Sequence, residues 1–480
     1  MNSNLASQWG DGCSPPQTPF LSFTSPQTVD LMFIDGDTIE LYCQAGLRSM
    51  DLTWSLHRNM LKKPFRTGVA EALPGNRFII RLDTAELHPG FYDVRVELDT
   101  SRENKERGRL EKRPVTGICT FGWKVDDMEF AETRPDDFSE FWDKAIERLG
   151  SIPLDPNVGE TMVFGPEEIN TYNLESAALP ADYDPAGHRA ETVESFKVDI
   201  AGPDGGRIYG WVAKPLGDGP FPVMLVLPGA GFSARSRPLE HARHGYLAMD
   251  IQVHGQDVDL ESYPKIPGYY NEQKYEPVSA NYYYNVHLRC VQALNYLLSR
   301  PEADTDRVAV VGGSQGGRLG IVLAGLDSRV KAVVSTIANS PNHPHLRWVA
   351  RCNGYAELVD KRPDPNMARS DGMDRTGAPP VINDAYGRCI AYYDPMNYAP
   401  DIHCSVLMQG GLIDPVSPPI SPWAVFHRLG TEDKTIVPIP GHGHDWSAAF
   451  DRDAWRWLDR VFANPRMGVD DNVPDLPDDQ

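Results

Sequence analysis

Twelve residues constrain this chain most: Val308-Ala309-Val310-Val311-Gly312-Gly313-Ser314-Gln315-Gly316-Gly317-Arg318-Leu319. Four apolar, mostly β-branched residues read as a buried parallel strand. Glycines then crowd around one serine, and the run Leu319 to Leu326 is apolar enough for a helix packed beneath a sheet. Strand, Gly-x-Ser-x-Gly (Gly312, Ser314, Gly316) and helix together are the pattern of a nucleophile elbow, a turn tight enough to demand glycine two residues either side of an exposed serine hydroxyl. On its own the five-residue pattern is weak, because a glycine-rich strand-to-helix turn can carry an incidental serine. Its flanking elements strengthen it, and it requires an acid and a histidine downstream.

The surroundings of the elbow carry the alternation of an α/β chain. Strands are predicted at Val223–Leu227, Tyr246–Ile251, Val308–Val311, Ala332–Ser335, Val406–Gln409 and Thr435–Ile439, with helical patterns between them, including Tyr283–Leu298 and Trp423–Leu429. This repetition specifies a mostly parallel sheet with helices on both faces, an α/β-hydrolase architecture. Before it, residues 157–215 read as polar loop followed by strands at Phe196–Ile200 and Ile208–Ala213, and the spacing in 136–149 predicts an amphipathic helix closed by Gly150. Residues 18–125 carry only β signals: Thr38–Cys43, Leu52–Leu56, Phe78–Leu82 and Phe91–Leu98. Leu87-His88-Pro89-Gly90-Phe91-Tyr92 resembles the tyrosine corner of immunoglobulin-like sandwiches, with Cys43 and Trp54 where the second and third strands would place them. Val94 stands at the second cysteine position, so that inter-sheet disulfide is not available. The expected organisation is a loose tail (1–17), an immunoglobulin-like β-sandwich (18–125), an α/β-hydrolase domain (126–465) and a disordered acidic tail (466–480). The sandwich shows no Ser/His/Asp cluster and no metal spacing, so it is expected to be a structural and substrate-gating module docked through a short acidic connector.

In such a hydrolase the catalytic residues follow in the order nucleophile, acid, histidine, each after a strand. After Val406–Gln409 comes Gly410-Gly411-Leu412-Ile413-Asp414-Pro415, and after the last strand comes Pro440-Gly441-His442-Gly443-His444-Asp445. Asp414 alone would read as a surface loop residue. Serine, aspartate and histidine in one order are far more specific. A serine hydroxyl is a weak nucleophile at neutral pH and needs a base within hydrogen-bond reach, whose tautomer a carboxylate fixes. His444 is preferred as that base, with His442 the alternative. An acyl-transfer site also needs two oxyanion donors. The N–H of Gln315 is one, and the N–H of Ala230, in Pro228-Gly229-Ala230-Gly231-Phe232, is the preferred second, with Gly231 the alternative. Candidate substrate-binding residues are His254, Gln256, Tyr270 and Tyr283; bracing is the preferred reading of His254, and the packed start of a helix that of Tyr282 to Tyr284.

Composition sets the class of partner. A formal charge of −21 over 480 residues opposes binding to nucleic acid or an anionic membrane surface, and no apolar run approaches the ~20 residues that span a bilayer. The N-terminus lacks the basic start and apolar core of a signal peptide, which points to the cytoplasm and leaves open a secreted origin with the leader removed. Seven scattered cysteines read as reduced core thiols. No metal-ligand spacing is visible, His343 and His345 included, and no cofactor is expected.

Gly312-Gly313-Ser314-Gln315-Gly316-Gly317, Gly411-Leu412-Ile413-Asp414-Pro415-Val416-Ser417-Pro418-Pro419, Tyr282-Tyr283-Tyr284, the segment Arg134 to Trp142 and Tyr393-Asp394-Pro395-Met396-Asn397-Tyr398-Ala399-Pro400 together resemble the acetyl xylan esterase / cephalosporin C deacetylase family, carbohydrate esterase family seven. The likeness runs from about Arg134 to Phe462. It implies Ser314, Asp414 and His444 as the triad, removal of small acyl groups from carbohydrate hydroxyls such as those of xylo-oligosaccharides, and a homo-oligomer. Two segments depart from the family pattern: His254-Gly255-Gln256 replaces Arg-Gly-Gln, and Pro228-Gly229-Ala230 replaces His-Gly-Tyr. These departures make plausible a carboxylesterase or peptidase-like hydrolase acting on a non-sugar acyl substrate. A rival of a different class is a non-catalytic carbohydrate-binding protein with a vestigial elbow, against which the intact Ser314, Asp414 and His444 set argues.

Overall fold

The computed structural model describes residues 21–46, 51–58, 60–104, 109–175, 187–266, 274–338, 346, 385–445 and 447–462. Both terminal tails, Tyr269, Tyr270, His343 and His345 lie outside them.

Among the described residues, nine strands precede the first long helix: β1 (Leu21–Thr24), β2 (Met32–Phe33), β3 (Thr38–Ala45), β4 (Leu52–Arg58), β5 (Arg66–Val69), β6 (Glu71–Leu73), β7 (Arg77–Asp83), β8 (Gly90–Asn104) and β9 (Arg109–Trp123). They form two sheets, ordered β1-β3-β7-β6 and β2-β9-β8-β4-β5. Alternate residues of a strand point to opposite faces. Accordingly Ile39, Leu41 and Cys43 of β3 share one buried core with Leu52 and Leu56 of β4 and Val94, Val96 and Leu98 of β8. The result is a two-sheet sandwich. The Tyr92 hydroxyl donates to the His88 carbonyl at 2.7 Å and accepts from the His88 N–H at 2.9 Å, so the expected corner is formed. Trp54 is only half buried and lies over Gly68 of the edge strand β5, at the margin of the core rather than its centre.

The second half begins with α1 (Phe138–Gly150), β10 (Asn157–Val158), β11 (Met162–Phe164) and α2 (Pro166–Glu175). The last three stand where the sequence reads as polar loop. Both strands are two or three residues long and largely exposed, so they carry no hydrophobic period. The chain continues through β12 (Val193–Ala201), β13 (Arg207–Pro215), β14 (Phe221–Leu227), α3 (Leu239–Arg243), β15 (Leu247–Gln252), α4 (Tyr282–Leu298), β16 (Ala303–Gly313), α5 (Gln315–Leu326) and β17 (Ala332–Thr336). It ends with α6 (Ala385–Ile390), β18 (Ser405–Gly411), α7 (Ile420–Arg428), β19 (Lys434–Ile439) and α8 (Ala448–Val461).

These strands form one sheet in the order β10-β12-β13-β15-β14-β16-β17-β18-β19, with β11 also on β12. It is parallel from β15 to β19 and antiparallel at the β12–β13 end. The parallel strands are buried on both sides. Val223, Leu225, Val308, Val310 and Val333 face α1, α4 and α5, while Met224, Ala309, Ala332 and Val334 face α8. The chain leaves β14 for β15 on one side and then returns to β16 on the other. That reversal opens a crevice at the carboxyl ends of β14 and β16, where ligands of open α/β sheets bind.

Among the described residues, burial leaves three histidines with strongly lowered proton affinity. His241 and His254 are each pushed down to about 4, and fully buried His287 lies well below its usual value. A histidine depressed in the fold is neutral there but charges in the unfolded chain as pH falls below about 6.5. The unfolded state then binds more protons, so these residues' contribution is complete above about pH 6.5 and is lost on acidification toward 4. Each contributes at most ~1.4 kcal/mol per pH unit in that window. Urea midpoints should therefore fall steeply between pH 6.5 and 4.5 and stay level between 7 and 8. His287→Gln, if it folds, should flatten that slope.

Candidate active site

The carboxyl ends of three strands, β16, β18 and β19, present the candidate residues. Ser314 joins β16 to α5, Asp414 lies three residues beyond β18, and His444 five beyond β19. Ser314 adopts φ 55° and ψ −119°, a strained conformation for a residue with a side chain. Its N–H is held by the Thr336 carbonyl at the end of β17, at 2.9 Å. Gly316 makes the turn sterically feasible, because a Cβ there would overlap the Leu227 carbonyl oxygen of β14.

The three residues lie in line. His444 Nε2 is 2.9 Å from Ser314 Oγ and His444 Nδ1 is 2.7 Å from Asp414 Oδ2. The other carboxylate oxygen, Oδ1, accepts the N–H groups of Val416 and Ser417, each at 2.7 Å. Burial pushes the Asp414 carboxyl upward, and the hydrogen bonds from His444, Ser417 and Val416 offset part of that rise. The Ser417 hydroxyl donates to the Ala338 carbonyl, tying this loop to the chain beyond β17. An imidazole so placed can take the serine proton while the carboxylate stabilises the resulting cation.

His442 does not take that position. Its backbone carbonyl accepts the Ile413 N–H at 3.0 Å, and its N–H donates to Ile439 at 3.3 Å, so it links the histidine loop to the acid loop. Leu227 of β14 is in register with Gly312 of β16, so Pro228-Gly229-Ala230 and Gly313-Ser314-Gln315 emerge side by side. Gln315 opens α5, where the first N–H groups of a helix have no intrahelical acceptor. Ala230 is exposed in the facing loop.

The secondary candidates separate. His254 is buried, its Nδ1 hydrogen-bonded to the Tyr282 hydroxyl and its ring 5.0 Å from that of Phe232. It therefore braces the loop after β14 against the start of α4. Gln256 donates to the Pro264 carbonyl at 2.7 Å and pins its own loop. Tyr283 is a correction: it is 4% exposed in the hydrolase core, with the Arg318 guanidinium 4.1 Å from its ring centre. It sits in the first turn of α4 facing the core, so it offers no substrate surface.

Sequence reasoning passed over Arg318, which is buried and donates to the Tyr393 carbonyl at 2.7 Å. A charged residue in an otherwise apolar helix just after the elbow was the available signal. It also missed one set of convergent ligand atoms. Among the described residues, those of His188, Glu240 and His244 lie within 4.8 Å of one another. Glu240 already receives Asn173 at 2.6 Å and the Arg243 guanidinium at 3.2 Å, with His188 Nε2 at 2.7 Å. A guanidinium on the carboxylate opposes a second cation, so this set reads as a structural network. Its one-turn spacing, Glu240 to His244, was the only hint. Of the cysteines, Cys43, Cys119, Cys290 and Cys389 are buried and Cys404 partly so, all as free thiols.

The acetyl xylan esterase (AXE1) family description matches residues 168–461. An acetyl esterase, Axe7A, of Xylanibacter ruminicola is 25% identical over 449 residues, covering 89% of this chain and 88% of its own. That span is longer than residues 126–480 and so takes in part of the sandwich. The solved acetyl xylan esterase from Paenibacillus sp. R4 is 27% identical with a TM-score of 0.53, covering 70% of this chain and 97% of its own. Acetyl xylan esterase 1 from Thermoanaerobacterium sp. JW/SL YS485 has the same TM-score at 21% identity, covering 71% and 98%. It shares the α/β-hydrolase fold.

Proposed function

The chain belongs to the acetyl xylan esterase family and is a carboxylic-ester hydrolase, and from that premise we propose that it removes acetyl groups from carbohydrate hydroxyls through an acyl-enzyme on Ser314. The observation that carries this reading is the unbroken line from Ser314 Oγ through His444 to Asp414. Ser314 Oγ attacks the acetyl carbonyl carbon as its proton passes to His444 Nε2. The oxyanion is held by the N–H groups of Gln315 and Ala230. The carbon–oxygen bond to the sugar breaks, and His444 returns its proton to the departing sugar oxygen. Water, deprotonated by His444, then attacks the acetyl-serine carbonyl carbon; the bond to Ser314 Oγ breaks as His444 returns the proton to that oxygen, and acetate leaves. Asp414 holds Nδ1–H throughout and stays ionised.

The carbohydrate side of the proposal rests on kinship with acetyl xylan esterases. We read the sandwich as immunoglobulin-like on the strength of its Tyr92 corner. The deciding experiment compares acetylated xylo-oligosaccharides with aryl acetate, butyrate and octanoate. Acetate should be released from the sugar, and kcat/KM should fall by roughly tenfold or more from acetate to octanoate, since a pocket built for a methyl group rejects added methylenes. Activity confined to long acyl chains would discard the carbohydrate assignment.

A further inference from the structure

In β8, residues 91–94 are all buried, although consecutive residues point to opposite faces. Val94 faces the sandwich core. Phe91 and Asp93 are on the outer face, which must therefore be covered. The cover over Phe91 comes from the hydrolase half: its ring meets that of Trp423 on α7, edge to face, with centroids 5.0 Å apart. Leu412, Ile420 and Trp423 join the buried cluster of the sandwich, on the Phe91 side of β8, and not the core beneath the parallel sheet. Leu412 precedes Asp414 by two residues, and Ile420 opens α7. The Trp423 ring lies against the end of β18 so closely that a Cβ on Gly410 would overlap it.

The far end of α7 is fastened by the connector. Arg428 donates to Glu132 at 2.9 Å and to the carbonyls of Phe130 and Ala131 at 3.2 and 2.9 Å. The segment carrying Asp414 is thus gripped by the β-sandwich on one side, while its own hydrogen bonds to Ile439 and His442 tie it to the histidine loop.

We propose that the N-terminal sandwich is a positioning element for Asp414, acting through Phe91 on Trp423 and so on residues 410–423. This rests on the triad reading above, and it gives the N-terminal domain a part in catalysis without placing any of its residues at the reacting atoms. Phe91 is the positioning residue. Removing its ring lets the acid loop shift, and a displacement on the order of 1 Å at a catalytic group can cost about a hundredfold in rate.

The test uses the full chain. Phe91→Ala, with folding verified by circular dichroism and urea denaturation, should lower kcat on an aryl acetate by roughly tenfold to a hundredfold with KM little changed. The acidic limb of its kcat/KM profile should move to lower pH, because a histidine that loses its carboxylate neighbour binds a proton less tightly. Phe91→Leu should restore most of the rate. Leu41→Ala, between the two sheets and away from the Phe91–Trp423 contact, should lower stability and leave both kcat and the acidic limb in place. If Phe91→Ala fails to fold, the same measurements are read on Trp423→Phe. A folded variant with wild-type kcat and an unmoved limb overturns the proposal, as does an equal kinetic change in Leu41→Ala. Asp414→Asn separates the two readings. If it is as active as wild type, the triad assignment fails; if it is inactive while the Phe91 variants are normal, only the positioning role fails.

Discussion

Ser314→Ala should lower kcat on an aryl acetate by at least ~10³-fold, while KM changes little and the fold is retained. The substitution removes one oxygen from a turn whose backbone is held independently, by the Thr336 carbonyl on the Ser314 N–H and by the close passage of Gly316 over Leu227. Stability should therefore stay close to wild type, because alanine keeps both the Cβ and the backbone strain of the turn. What remains after the loss is water attack on an ester still bound beside the oxyanion donors. Fluorophosphonate labelling of wild type, absent in the variant, identifies the nucleophile directly. Wild-type turnover in Ser314→Ala would end the proposed mechanism.

Asp414→Asn should cost about 10³- to 10⁴-fold in kcat with little structural change. The amide keeps the volume of the carboxyl and can still accept the Val416 and Ser417 N–H groups through its oxygen. Its NH₂ group then faces His444 Nδ1, which favours the tautomer with the proton on Nε2. That tautomer cannot accept the serine proton. With the anion removed, the imidazolium formed during attack is also unsupported, so the acidic limb of kcat/KM should move down in pH. Because burial disfavours the Asp414 charge, the variant should be at least as stable as wild type to urea. A loss confined to KM would assign Asp414 to substrate binding instead.

The candidate residues Ser314, Asp414 and His444 were legible because each follows a strand rich in apolar residues, and such strands announce themselves without help from the rest of the chain. The glycines around Ser314, the Gly-Leu-Ile-Asp loop and the Gly-His-Gly-His loop are local requirements of tight turns at strand ends. The same locality explains the successes in the sandwich, where β3, Leu52–Leu56 of β4 and Val94–Leu98 of β8 alternate and β7 is rich in apolar residues. It also explains the omissions. The short strands β2, β5, β6, β10 and β11 are two to four residues long, and in so few residues no period can be distinguished. β9 combines a polar, charged start with two glycines, and its strand state comes from the fifteen-residue ladder it forms with β8.

Sequence alone therefore determined the order of elements around the elbow, the candidate nucleophile, and the two loops that carry the candidate acid and base. It could rank His444 above His442, but only the tertiary structure decided between them, by sending one side chain to Ser314 and using the other's backbone to clasp the acid loop. Tertiary structure also turned Tyr283 inward, made His254 a brace and seated Phe91 against Trp423. The physical reason is the range of the forces involved. Turn geometry and hydrophobic period act over a few residues and are written in consecutive letters. Which side chain meets which across 332 positions, as Phe91 meets Trp423, depends on the packing of whole layers, and that exists only once the chain has folded.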